Sequence, residues 1–278
     1  MAAELTWNRY GKSSVRLVKV RRAADPHEIV DLTIDVALEG AFDRVYTDGD
    51  NSGCLATDTM KNTVYGLAKS DPIDHVEAFA TKLVDYFSEK PGVSLARITA
   101  AEHPWTRLHP HAFARAGDEA WTTVVTRDAG RLSIVSGLRG LVVLKTTDSA
   151  FAGFPRDRYT TLPETRDRIL ATSITAAWTY ADGFRDFAKR ADLRAALLAT
   201  FASHKSESVQ QTLYAMGESA LAACAGVTDI QISLPNRHHL LVDLAPFGLD
   251  NPNEIFVATD QPFGLIEARI SRPRGGRP

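Results

Sequence analysis

Alternation of apolar and polar residues with a period of two is the feature that most restricts what this chain can become. From Ser14 to Val20 it sets Val15, Leu17 and Lys19 against Arg16, Val18 and Val20, and it returns from Ile29 to Leu38. This pattern suits a strand with one face on a core and the other in water, as antiparallel sheets commonly have. Further strand-like runs cover Val93 to Ala101, Trp121 to Arg127 and Arg131 to Lys145. The last two are separated only by Asp128-Ala129-Gly130, a hairpin turn rather than a crossover, so antiparallel pairing is expected. Asp71-Pro72 reads as an N-cap and first-turn proline for a helix whose apolar positions Val76, Phe79, Ala80, Leu83 and Phe87 share a face. Pro91-Gly92 ends it.

The second half repeats the plan. A polar, proline-containing stretch runs to about Arg166. An alternating segment from Ile169 to Tyr180 follows, with Ile174, Ala176 and Trp178 on one face of a predicted strand. Helices are predicted over Phe184 to His204, with Phe187, Ala191, Ala195 and Leu198 inward, and over Glu207 to Cys224, with Val209, Leu213, Met216 and Ala220 inward. Strands return at Val227 to Leu234 and His239 to Leu244. Strands, helix and strands thus occur twice, with a crossover near Ser136 to Thr146. Two α+β domains of similar plan are expected, residues 1–138 and 139–278.

Composition narrows the function. The chain has 278 residues, 44% of them hydrophobic and 24% charged, enough to bury a sizeable core. A net charge of -2 gives no electrostatic footprint for nucleic acid or anionic lipid. The longest apolar run, Ala220 to Ala225, is far short of the about 20 residues a spanning helix needs, so no membrane segment is expected. The start, Met1-Ala2-Ala3-Glu4-Leu5, lacks a secretory signal, and the end, Arg274-Gly275-Gly276-Arg277-Pro278, lacks a peroxisomal one. Cys54 and Cys224 stand too far apart for a metal knuckle or a multi-bridge framework and suit a reducing cytoplasm.

Common catalytic signatures are missing. Gly11-Lys12-Ser13 resembles the end of a phosphate loop, but Thr6 occupies the place of its first glycine. His103, His109 and His111 fall among Pro104 and Pro110 in what reads as an irregular loop with no carboxylate at ligand spacing, so no metal is expected. Three segments carry more. Asp58 reads as the cap of a helix bearing Met60, Val64 and Leu67 or Ala68, which places Thr57 at a strand-to-helix junction where free N–H groups meet an anion. In Leu234-Pro235-Asn236-Arg237-His238-His239, Asn236 and His238 point to the same side of an extended chain. Ser208-Val209-Gln210 opens a helix.

The joint wording of these segments resembles the urate oxidase, or uricase, family. The amino-terminal part of the likeness is Tyr10-Gly11-Lys12, Val15-Arg16 and the run from Ala56-Thr57-Asp58-Thr59-Met60 to Tyr65. The rest is Phe151-Ala152-Gly153-Phe154, Asp157-Arg158-Tyr159-Thr160-Thr161-Leu162, Asp167-Arg168-Ile169-Leu170, Ser208-Val209-Gln210 and Ser233-Leu234-Pro235-Asn236-Arg237-His238, in order along nearly the whole chain.

The resemblance implies an α+β chain of two tandem tunnelling-fold domains, antiparallel sheets with helices on one face that close into a barrel on oligomerisation. It implies a cytoplasmic homotetramer with active sites between subunits. The implied reaction takes urate, dioxygen and water to 5-hydroxyisourate and hydrogen peroxide without metal or cofactor. By matching motifs, Phe151 is expected to stack on the purine, Arg168 to make a fork of bonds to one edge, and Gln210 with the Val209 N–H to hold the other. Lys12, Thr57 and His238 would form a proton relay. Thr57 and Asp58 would reach urate from the neighbouring subunit, and Thr57 and Asn236 would hold dioxygen and then water. The plainer alternatives are a surface lysine for Lys12 and an ion pair to Asp167 or Glu164 for Arg168. Ala152 departs from the aromatic residue that often follows the stacking phenylalanine in fungal members, and the ending without a peroxisomal signal agrees with a bacterial member. The rival functions are a tunnelling-fold enzyme acting on another purine or pterin, and a purine-binding protein without turnover.

Overall fold

The computed structural model describes residues 3–22, 25–115 and 117–273. The first two residues of the amino-terminal segment and the tail 274–278, which the expectations about targeting signals used, lie outside them. In chain order the elements are β1 (Tyr10–Arg21), β2 (Glu28–Gly40), α1 (Asp43–Thr47), α2 (Thr57–Ser70), α3 (Val76–Ser88), β3 (Val93–Glu102), β4 (Thr106–His109), β5 (Ala112–Ala114), β6 (Ala120–Asp128), β7 (Arg131–Lys145), β8 (Leu170–Tyr180), α4 (Arg190–Ser203), α5 (Val209–Ala223), β9 (Val227–Leu241) and β10 (Phe256–Ser271). None of the described helices is long and apolar enough to cross a membrane.

The chain divides into two compact units, residues 1–137 with 179–188, and residues 138–178 with 189–278. In the first, the strand order is β1-β2-β3-β6-β7, antiparallel from β1 through β6, with α2 over β1 and α3 over β3 and β6. Alternate residues Leu32, Ile34, Val36 and Leu38 of β2 and Ala96, Ile98 and Ala100 of β3 are buried, and so are Met60, Val64 and Ala68 of α2. The expected inward face of α3 is buried in full, together with Glu77, which the apolar pattern did not announce. The hairpin between β6 and β7 turns on Ala129 and Gly130 with φ of 45° and 84°, the left-handed pair that matches strand twist.

In the second unit the order is β7-β8-β9-β10, with α5 over β9 and β10 and α4 packed on α5. Ile174, Ala176 and Trp178 are buried on one face of β8 as expected. Gly217 of α5 allows this packing, because a Cβ there would lie 2.7 Å from Ile270 Cδ1 of β10.

Three local expectations are corrected. Asp71 caps no helix amino terminus: it ends α2, and its carboxylate accepts from Ile73 N at 2.7 Å and from Lys82, leaving α3 to start at Val76 behind His75. In α4 the inward stripe is Leu193, Leu197 and Phe201, with Ala191 and Ala195 exposed, because the larger side chains set the rotation. Residues 131–145 form the single expected strand, β7, and the division between the two units falls within it. The two strands predicted around Pro235 are one, β9, and its partner β10 was not foreseen.

Charge also stabilises the first unit. Asp31, 2% exposed, accepts from Arg16 and from Trp105 Nε1 at 2.9 Å. Burial works against its charge, but these bonds and the Arg16 cation outweigh burial and hold its pKa below the ordinary carboxylate value. A carboxylate depressed in this way contributes stability that is present above its unfolded pKa and lost as pH falls through the folded one. Asp31→Ala is therefore expected to lower unfolding free energy at pH 7 by about 3 kcal/mol. Asp31→Asn is expected to flatten the acid limb of a plot of Tm against pH, measured by thermal melts from neutral to about pH 3.

Candidate active site

In the first unit, the pairing of β1 with β2 places Lys12 opposite Val36 and then breaks. Ser13 and Ser14 form a bulge before Val15 resumes the register. Ser14 adopts φ 58° and its N–H donates to Asp35 Oδ1 at 2.6 Å. Such a bulge re-aims the neighbouring side chain, here the half-buried Lys12. Gly11 lets the strands meet, since a Cβ at this position would lie 1.8 Å from Val36 O.

Two residues before Lys12, Tyr10 Oη accepts from Leu55 N at 3.0 Å, and Leu55 lies two residues before Thr57. Burial, and then the bond with the Cys54 thiol, push the Tyr10 phenol up to about 12, so it stays protonated at neutral pH. This tie brings the start of α2 beside the start of β1. The junction differs from expectation in two ways. A 3₁₀ turn and a short extended link precede α2, and Asp58 does not cap it. Ala56 holds the cap position without a side-chain bond, while Asp58 accepts from Lys61 and from Asn62 Nδ2 at 2.9 Å. The Lys61 bond is the main cause of the lowered pKa of Asp58, and Lys12 is close enough to add to it. Lys12, Thr57 and Asp58 therefore share one corner of this unit.

The remaining candidates lie in the second unit. Phe151 forms a two-way backbone bridge with Thr165, 2.8 and 3.0 Å, and its ring lies 5.5 Å beneath the guanidinium carbon of Arg168. Phe154 stacks on the same ring, with centroids 4.9 Å apart, a contact the sequence did not reveal. Neither ion pair considered for Arg168 forms. Asp167 accepts from Thr147 Oγ1 at 3.0 Å and Glu164 accepts from Gly153 N at 3.1 Å. Arg168 is left half-buried with no partner for its Nε among the described residues, and desolvation lowers its pKa. A desolvated guanidinium without a counter-charge favours the approach of an anion.

Arg168, Asn236 and His238 line one cavity of about 540 Å³. Asn236 and His238 are two apart on a continuous strand and so share a face, as expected. Opposite them β10 loses register between Thr259, the partner of His238, and Gly264, the partner of Asn236. Val209 and Gln210 do not line this cavity; they form the first turn of α5 behind Ser208. Ser208 Oγ accepts from Gln211 N at 3.2 Å, and Gln211 Oε1 accepts from Glu207 N at 3.0 Å, a variant of the capping box. The first intrahelical bond runs from Thr212 N to Ser208 O, so the N–H groups of Val209 and Gln210 remain available at the positive end of the helix dipole. His109 and His111, considered above as a metal pair, lie at the tip of the β4–β5 hairpin with ring centroids 4.6 Å apart, and His103 bonds to Thr33 Oγ1 at 2.9 Å.

These features define a tunnelling-fold protein of two tandem α+β repeats with a cavity lined by an arginine that has no carboxylate partner among the described residues. The uricase family model matches the chain in two stretches, residues 8–126 and 134–267. A uricase of Arthrobacter globiformis is 48% identical over 269 residues, covering 95% of this chain and 89% of that protein. A uricase of Aspergillus flavus is 38% identical and covers 95% of each. The crystal structure of the Arthrobacter globiformis uricase superposes with a TM-score of 0.95 at 46% identity, covering 100% of this chain and 98% of that one. The chain belongs to the uricase family.

Because Gly11 meets Val36 O so closely, Gly11→Ala is expected to force β1 away from β2 beside Lys12. The expected loss is about 2 kcal/mol in urea unfolding, with faster amide exchange confined to the starts of β1 and α2.

Proposed function

We propose that this protein is a urate oxidase that converts urate, dioxygen and water to 5-hydroxyisourate and hydrogen peroxide without metal or organic cofactor. Besides family membership, the observation that carries this is the state of Arg168, a desolvated cation whose two neighbouring carboxylates are committed elsewhere, in a cavity with Asn236 and His238. Such a group suits a planar anion that brings its own acceptors. Urate as an anion is electron-rich enough to reduce dioxygen itself, so the protein has only to bind it flat, move protons and hold the oxygen.

The roles follow. Phe151 stacks on the ring, Arg168 makes a fork to one edge, and Gln210 with the Val209 N–H binds the other. Lys12 takes the substrate proton through Thr57, with His238 completing the relay. Asn236 and Thr57 hold dioxygen and then the attacking water, and Asp58 borders the urate site beside Thr57. Lys12, Thr57 and Asp58 come from one subunit and the other groups from its neighbour, in a homotetramer whose paired chains close their sheets into barrels. Each chain supplies two tunnelling-fold domains, 1–138 and 139–278. The exposed apolar residues of β10, Val257, Phe263 and Leu265, support a covered edge in the assembly. The free thiols Cys54 and Cys224 support a cytoplasmic setting.

The first test is the loss of urate's ultraviolet absorbance in aerated buffer containing a chelator, with peroxide assayed in the same tube. Loss of urate matched by peroxide is expected; urate that binds and persists would leave a purine-binding protein instead. Lys12→Met and Thr57→Ala are expected to lower kcat by at least about 100-fold while still binding a urate analogue, whereas Arg168→Ala loses binding first. Normal turnover in Lys12→Met would remove the relay.

A further inference from the structure

From Lys145, the last residue of β7, to Phe151, four alternate positions tie in turn to two other segments of the second unit. Lys145 Nζ donates to His204 O at 2.5 Å. Thr147 donates to Asp167, next to Arg168. Ser149 forms a parallel bridge with Ser206, flanked by Ala150 N to Ser206 O at 2.7 Å and Ser206 N to Asp148 O at 2.9 Å. Phe151 bridges Thr165. Segment 145–151 is thus the spine to which the stacking ring, the arginine and the start of α5 are all attached.

Lys145 is the tie whose chemistry is least ordinary. It is half-buried, 6.0 Å from the Phe201 ring centroid, and its ammonium is spent on a carbonyl rather than a carboxylate. Burial lowers its pKa against a smaller opposing effect of Asp148. The carbonyl belongs to His204, the residue that ends α4, where a cation is favoured. His204 Nδ1 in turn bonds Thr212 Oγ1 of α5 at 3.2 Å. Lys145 therefore holds the first residue of the link 204–208, whose ring is itself tied to α5, and the link closes on Ser208, the cap that presents Val209 and Gln210.

We propose that Lys145 is a positioning residue for urate: through the His204 carbonyl it sets the separation between Phe151 with Arg168 on one side and Val209 with Gln210 on the other, without touching the substrate. This rests on the binding roles assigned above. A purely structural role and a positioning role separate cleanly here. Methionine at 145 keeps an unbranched side chain beside the Phe201 ring and removes a desolvated charge, so a small cost to the fold is expected while the tether is cut.

The test is steady-state urate kinetics and thermal melting of Lys145→Met, Lys145→Gln and Lys145→Arg, with Arg168→Ala measured in parallel. In Lys145→Met, KM is expected to rise at least about tenfold while kcat falls less than about threefold and Tm stays within a few degrees. Lys145→Gln, which still donates but reaches less far, shows a smaller rise, and Lys145→Arg returns KM to within about threefold of the starting protein. Wild-type KM in Lys145→Met overturns the inference, as does a normal KM in Lys145→Gln if the methionine variant fails to fold. A fall in Tm that accounts for the whole kinetic loss, with no rescue by arginine, overturns it too. Wild-type KM in Arg168→Ala would instead overturn the site assignment, and the inference with it.

Discussion

Antiparallel pairing in a single register is the constraint on which the other features depend. Successive residues of a strand face opposite sides, so sliding one strand by one residue would turn Leu32, Ile34, Val36 and Leu38 out of the core together. Each such side chain contributes about 1.5–3 kcal/mol when buried, so a slip is strongly disfavoured. The register fails at few places, and two of them adjoin proposed site residues. One is the bulge after Lys12; the other is the shift in β10 facing Asn236 and His238. A regular ladder fixes the strands, and its local interruption turns particular side chains away from the direction the ladder would impose.

Around Arg168 the fold withholds counter-charge. Asp167 is its neighbour in sequence and Glu164 is four residues away, yet each carboxylate is held by a donor of its own. A half-buried guanidinium without a counter-charge costs the folded state free energy, which an approaching anion would offset. The same segment that holds Asp167 away also carries Phe151 and, through Ser149 and Lys145, meets the link into α5. One short segment thus carries the bonds from Lys145 and Thr147 and the backbone bridges at Ser149 and Phe151.

Much of the fold was legible from periodicity. The strands from β1 to β3 and from β6 to β8, α3 and the inward face of α5 follow from spacings of two, three and four, and the β6–β7 hairpin follows from its turn residues. β10 is exposed along nearly all of its length, so no inward set of apolar residues marks its period in the sequence. Pro235 suggested a break in β9 that the strand accommodates. The sequence leaves the rotation of α4 open, because alanines form one stripe and Leu193, Leu197 and Phe201 another, and only the packed neighbour selects between them. For the site, Asn236 and His238 on one face and Ser208 before a helix were visible locally. The roles of Lys12, Phe151 and Arg168 came only from the resemblance of whole motifs.

By itself the sequence determined the antiparallel α+β plan, the repeat of that plan and the family, because these are written in spacings of a few residues and in the order of motifs. Tertiary structure alone decided which charges are paired and which are left open. Trp105 reaches Asp31 across 74 residues, Lys145 reaches His204 across 59, and Thr147 reaches Asp167 across 20. Whether Arg168 is a surface ion pair or an open anion site depends on such long-range bonds, which compete for the same acceptors and are settled only when the chain has closed.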